Sequence, residues 1–293
     1  MVNTMTLNKK TTNKVELNVS NQFVSIEIFD ASEPTQILRN QAVNIIASGP
    51  SVTSLAISDI CQEPTIFVNG SISLTAKDNF SHIVGYVISD ARFVSHQPDI
   101  IQEHYSGQPL YATLAVFEAI ATFLPDLILT YHHAMRLIYP VDRPLSVRSK
   151  KPWLHRLFFA RQLLNKKKLL TDFEAYSNFV VDSSYQPQPI GVSLDITYGF
   201  VEAGTVAYVA TQLAFSRQAS TIHLYGIDLI NNHQPRFYED KNNTAPCKLD
   251  KAITNRIVPS FDLLATVYKE HGVLVYNHSS ISKSLFQNLI YAV

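Results

Sequence analysis

Asn44-Ile45-Ile46-Ala47-Ser48-Gly49-Pro50-Ser51-Val52 is the stretch on which the reading of this chain turns. Val43 to Ala47 is a short apolar run, partly β-branched, and suits a strand buried on both faces. It stops at Ser-Gly-Pro-Ser. Glycine permits close backbone approach or positive φ. Proline suits the first turn of a helix, and serine can cap it. A strand that runs through such a turn into a helix N-terminus makes a place for a phosphate or a sugar edge. Taken alone, it also fits an ordinary strand-to-helix turn.

Other strand ends of similar design lie outward from it. Thr65 to Val68 reads as a buried strand ending at Asn69-Gly70-Ser71. Ile83 to Ile88 reads as another, ending at Ser89-Asp90-Ala91-Arg92, and Thr221 to Tyr225 as a third, ending at Gly226-Ile227-Asp228. Residues 1–20 read as a frayed lead-in, Phe23 to Phe29 as a half-exposed strand, and Ser32-Glu33-Pro34 as a short helix or turn. Helices are expected over Leu110 to Leu124, Glu202 to Ser216 and Ile257 to Glu270. Further strands are expected over Leu127 to Tyr131 and Val273 to Tyr276. Strands alternating with helices predict an α/β fold, Rossmann-like, with a mostly parallel sheet covered on both faces. Ligands in such sheets bind beyond the carboxyl ends of the strands, where the small and polar residues collect here.

Composition narrows the function. Lys+Arg and Asp+Glu are both 24, so overall charge gives no sign of a nucleic-acid partner. Hydrophobic residues make up 46% and charged residues 16%, enough for a sizeable core. Cys61 and Cys247 form neither a metal-ligand spacing nor a disulfide framework. Met1 to Lys14 is polar and lacks the apolar core of a signal peptide. No GxGxxG, P-loop, HExxH or GxSxG occurs, and Gly49 stands without the further glycines of a dinucleotide fingerprint. His132-His133 lacks companion ligands at metal spacing, and the other histidines are scattered singly.

Two stretches stand apart. Residues 143–168 hold Arg143, Arg148, Lys150, Lys151, Arg156, Arg161 and Lys166 to Lys168 with no acid, interleaved with Trp153, Leu157 and Phe158. This is either a basic amphipathic insert for a membrane surface or a solvated helix packed on the domain. Pro235-Arg236-Phe237-Tyr238-Glu239-Asp240 places a planar guanidinium, a phenol and two acids just after the Gly226-Ile227-Asp228 strand end.

The order of these motifs resembles the lipopolysaccharide core transferases that add a third, side-branch Kdo, and more distantly the bacterial CMP-sialic acid sialyltransferases. The residues that carry the resemblance are Ser48-Gly49-Pro50, Val68-Asn69-Gly70-Ser71, Asp90-Ala91-Arg92-Phe93, Thr205 through Ala210, Gly226-Ile227-Asp228-Leu229 and Pro235 through Asp240. The resemblance covers roughly 43–280 and includes the basic stretch. It implies a metal-free, cofactor-free glycosyltransferase that moves Kdo from CMP-Kdo to a Kdo residue of the lipid A–inner core. Such an enzyme would be cytoplasmic and would lie on the inner-membrane surface through 143–168. Residues 1–40 form a lead-in with one strand and 41–293 the nucleotide-sugar domain, with 143–190 as its basic insert. The donor residues implied are Ser48, Gly49, Pro50 and Ser51 with Asn69 for the cytidine and ribose, and Gly70 and Ser71 beside them. Gly204 and Thr205, at a helix N-terminus, face the phosphate. Arg92 and Arg236 suit the sugar carboxylate, and Gly226, Asp228 and Tyr238 complete the set. The sialyltransferases use a histidine base some way after the Gly-Ile-Asp loop, but Asn242 to Pro259 contains none. A carboxylate is the expected substitute, Asp90 first and Glu239 second. A sialyltransferase of a surface glycan and a non-catalytic nucleotide-binding module remain as alternatives.

Overall fold

Short Val/Ile/Phe runs bounded by turn residues build one sheet. The structure is a computed structural model that describes residues 13–143, 168–230, 235–239 and 252–292. The strands are β1 (Lys14–Val19), β2 (Gln22–Ile28), β3 (Ala42–Ile46), β4 (Thr65–Val68), β5 (Ile83–Ile88), β6 (Leu110–Ala112), β7 (Met135–Leu137), β10 (Thr221–Tyr225), β11 (Leu274–Asn277) and β12 (Ile290–Tyr291). They lie in the order β1-β2-β7-β6-β5-β4-β3-β10-β11-β12. Neighbours are parallel throughout except for the antiparallel hairpin β1–β2. A separate hairpin pairs β8 (Phe179–Asp182) with β9 (Ile190–Ser193).

Alternation along the strands divides the core in two. Val43, Ile45, Ile66, Ile222, Leu224 and Val275 face one side and pack with α5 (Val206–Ser216) and α6 (Val258–Glu270). Ile46, Phe67, Tyr86 and Ile88 face the other, under α1 (Ala91–His96), α2 (Pro98–His104), α3 (Leu114–Phe123) and α4 (Pro125–Tyr131). Gln212, fully buried on α5, holds the chain between β9 and α5. Its Oε1 accepts from Ser193 N and Val201 N, and its Nε2 donates to the carbonyls of Val201 and Tyr208.

The sequence reading is met for β2, β3, β4, β5, β10 and β11 and for α5 and α6, and three stretches are corrected. Lys14–Val19 is a full edge strand rather than a frayed lead-in, because Leu17 and Val19 alternate inward. Leu110 to Leu124 divides into β6 and α3. Leu-Tyr-Ala is buried as a strand, and Thr113 then stands at the helix N-cap. Leu127 to Tyr131 is helical, not extended. Pro125 at the first helical position and Asp126 in the first turn start α4 there, and the strand follows at Met135. The end of the expected 143–190 insert is ordinary fold: β8–β9 covers a small cluster of Val141, Phe173, Phe179 and Val201. Residues 144–167 of that insert lie outside the described residues.

Candidate functional site

β4 and β5 extend to one side of β3, and β10 and β11 to the other. The strand order therefore reverses between β3 and β10, which opens a crevice above their carboxyl ends. Asp228, just past β10, closes the floor of that crevice. Its Oδ2 accepts from Ser51 N at 2.6 Å and its Oδ1 from Ser51 Oγ at 2.7 Å. Ser279 Oγ, just past β11, also donates to Oδ1. Asp228 is only 8% exposed, so one carboxylate ties three strand ends. Gly49 fits because nothing larger can. A Cβ there would lie 2.4 Å from Asp228 Oδ2 and 2.5 Å from the Gly226 carbonyl, which accepts from Gly49 N. Gly226 has φ +70, and a Cβ on it would meet Val52 at 2.5 Å. Pro50 opens the 3₁₀ turn Pro50–Ser54.

At the end of β4, Asn69 takes the left-handed conformation, φ 51. Its Oδ1 is buried and has no hydrogen-bond partner among the described residues. Strain plus an unmet acceptor at a strand end marks a functional position. Ser71 is placed differently. Its hydroxyl is fully buried, accepts from Val68 N and donates to the Ile46 carbonyl, so it joins β3 to β4. Tyr238 lies over Gly70, where a Cβ would stand 2.2 Å from its ring, and meets Phe93 edge-on. Phe237 N reaches the Ser48 carbonyl at 3.3 Å. Burial pushes the Tyr238 phenol up and Glu239 adds to that, while Arg236 and Ser48 pull it back. Arg236 Nη1 donates to Glu239 Oε1 at 2.6 Å, and the Glu239 side chain is 2% exposed. Asp240 and His233 lie outside the described residues.

α5 leads into the amino end of β10, so its own N-terminus sits at the carboxyl edge of the sheet. Thr205 is its N-cap residue and makes no side-chain cap; Tyr208 N donates to the Thr205 carbonyl at 3.2 Å, and the N–H groups of Val206 and Ala207 have no partner among the described residues. Gly204 has φ +88, and a Cβ on it would touch Ile257 at 3.6 Å without a clash. Arg256 donates to the Glu202 carbonyl at 2.6 Å, and Arg143 pairs with the Glu202 carboxylate. Lys168 N donates to the Asp142 carbonyl at 2.9 Å, so the described residues on either side of the basic stretch meet at one place.

Asp90 and Arg92 stand apart, at the end of β5. Asp90 caps α1 by accepting from Arg92 N at 2.9 Å, and its two oxygens take Arg92 Nε at 3.1 and 2.9 Å. Burial raises its carboxyl, but hydrogen bonds and charge from Arg92 outweigh that and hold it below the usual range. A lowered carboxylate is a weaker base. The Arg92 side chain is 81% exposed.

Ser279, Ser282 and the pair His223–His278 escaped the sequence reading. Ser282 Oγ accepts from Leu229 N at 2.7 Å, and His223 Nδ1 lies 2.9 Å from His278 Nε2. The signal available was the run His278-Ser279-Ser280, polar and small, directly after a strand. Among the described residues no three His, Cys, Asp or Glu side chains gather as for a metal.

Fold and crevice together define an α/β protein with a crevice at the reversal of strand order. The chain belongs to the 3-deoxy-D-manno-octulosonic acid (Kdo) transferase WaaZ family, the Kdo III type, whose model matches residues 30–287. It is therefore a Kdo glycosyltransferase of the lipopolysaccharide core. It is 24% identical over 265 residues to a probable 3-deoxy-manno-octulosonic acid transferase of Escherichia coli K12, covering 87% of this chain and 84% of that one. A protein of the same description from Salmonella typhimurium LT2 is 26% identical over 221 residues, covering 75% and 76%. A solved structure of the sialyltransferase CstII from Campylobacter jejuni with a substrate analogue, cytidine-5′-monophosphate, is similar at TM-score 0.40 and 14% identity, covering 86% of this chain and 88% of that chain.

Proposed function

We propose that this chain moves Kdo from CMP-Kdo to a Kdo residue of the lipid A–inner core, without a metal ion. The observation that carries this reading is the crevice itself: a glycine turn, a strained Asn69 with an acceptor unmet among the described residues, and the α5 N-terminus, which has no side-chain cap, lie at the carboxyl edge. Asn69 and the Ser48–Ser51 turn take the cytidine and ribose. The Gly204–Thr205 end takes the phosphate, where a helix terminus favours an anion. Arg236, near Tyr238, and Arg92 are the cations for the sugar carboxylate, and each must exchange its present acid for it. CMP is a good leaving group, so the phosphate needs no divalent ion beyond these contacts.

The basic segment 143–168 serves the lipid acceptor, and the enzyme works on the cytoplasmic face of the inner membrane. Each cation near anionic lipid contributes on the order of 1 kcal/mol. Liposome flotation should show wild type rising with anionic vesicles and a charge-neutralised segment failing to rise; equal flotation refutes the membrane role.

A donor screen tests the activity. CMP-Kdo or CMP-sialic acid is supplied with deacylated core, and the product is weighed by mass spectrometry. A mass gain of one Kdo from CMP-Kdo is the expected result. Transfer from CMP-sialic acid alone makes the chain a sialyltransferase, and CMP binding without any transfer makes it a binding module.

A further inference from the structure

The two faces of β10 and β11 differ in chemistry. Ile222, Leu224 and Val275 pack into the apolar core with α5 and α6. The opposite face carries His223, Tyr225, Tyr276 and His278 as a row of rings. His223 stacks on Tyr276 with centroids 5.0 Å apart, and His278 on Tyr225 at 4.3 Å. The two imidazoles are joined at 2.9 Å, Nδ1 of His223 to Nε2 of His278. The row ends at the crevice. His278 lies between the last residue of β11 and Ser279, which holds Asp228, and Tyr225 directly precedes Gly226.

Joining a sugar to an acceptor hydroxyl calls for a proton acceptor in its base form. The nearby carboxylates are committed. Asp90 is locked to Arg92, Asp228 holds Ser51 and Ser279, and Glu239 is buried against Arg236. The half-buried imidazole pair is not. Burial, and after it His223, push His278 down to about 4, so it is neutral at pH 7. Burial lowers His223 as well, against a weaker upward pull from Glu63. Tyr225 and Tyr276 are the other titratable groups that face the pair. With His278 Nε2–H donating to His223 Nδ1, His278 Nδ1 keeps its lone pair and makes no hydrogen bond among the described residues.

We propose that His278 takes the proton of the acceptor hydroxyl and that His223 is its positioning residue, the row of rings forming the acceptor side of the crevice. This rests on the transfer reaction proposed above. The acceptor oxygen bonds to the anomeric carbon as the bond from that carbon to the CMP phosphate oxygen breaks, and CMP leaves with the electron pair. The hydroxyl proton passes to His278 Nδ1, while the Nε2–H bond to His223 holds the ring in line.

The test is transfer from CMP-Kdo to a Kdo-bearing acceptor, with CMP affinity read separately by calorimetry. His278→Gln, which keeps a donor toward His223, should lower kcat by roughly a hundredfold or more with CMP affinity unchanged. His278→Ala should fall as far and recover in part with added imidazole. His223→Ala should fall less and move the acid limb of the pH profile upward, because the downward push on His278 is gone. His271→Ala, on the surface after α6, should match wild type. A His278→Gln variant within roughly threefold of wild-type kcat overturns the proposal, as does a parallel loss of CMP binding. A wild-type chain that transfers nothing from CMP-Kdo overturns the donor assignment, and this proposal with it.

Discussion

Asp228 and Asp90 both follow a parallel strand of the same sheet, yet the two carboxylates live differently. Asp228 is 8% exposed and bonded to groups 177 and 51 residues away. Asp90 is 41% exposed and bonded to its neighbour two residues on. The first holds separate elements together and defines the crevice. The second completes its own helix turn, and its charge is already spent on Arg92. An acid at a strand end is thus an organiser only when its partners come from other strands.

That contrast can be broken experimentally, and the largest effect belongs to Asp228. Asp228→Ala leaves the half-buried Ser51 N and Oγ and the fully buried Ser279 Oγ without this partner. Unfolding by urea should show a loss of about 3 kcal/mol or more; a loss below about 1 kcal/mol would make the three-strand tie incidental. Gly49→Ala comes next. Its Cβ must displace Asp228 or the Gly226 carbonyl, and about 2 kcal/mol of stability should go together with CMP affinity. Asn69→Ala should weaken CMP binding by about tenfold, the scale of one lost hydrogen bond, with folding kept; calorimetry that shows unchanged affinity removes the donor from this strand end.

The smallest effect belongs to Asp90. Asp90→Ala should cost about 1 kcal/mol, the scale of a helix cap, since the exposed ion pair adds little. Its carboxyl lies below the ordinary value in the fold, so its contribution is present above the unfolded pKa and is lost as pH falls through the folded one. With Asp90 as the base, Asp90→Asn should lower turnover by roughly a hundredfold or more with CMP binding kept, whereas the local pairing seen here expects a change under about tenfold. A steady-state assay of that one variant decides between them.

What could be read from the chain follows the same division. β3, β4 and β10 were legible because β-branched runs end in Gly, Asn or Pro, which is local information. β6 and α4 were not, because Leu110–Ala112 and Leu127–Tyr131 are apolar runs whose period cannot separate strand from helix. The tie at Asp228 is written in residues 51, 228 and 279, and no local pattern joins them. His223 and His278 looked solitary for the same reason: parallel pairing of β10 with β11 is what makes them neighbours.

The clamp between Lys168 N and the Asp142 carbonyl has a consequence for how this enzyme can vary. The bond holds the two ends of the intervening stretch at one point of the fold. Closing a loop twice as long costs only about 0.6 kcal/mol more. Insertions or deletions between residues 142 and 168 should therefore cost the fold little as long as this bond is kept.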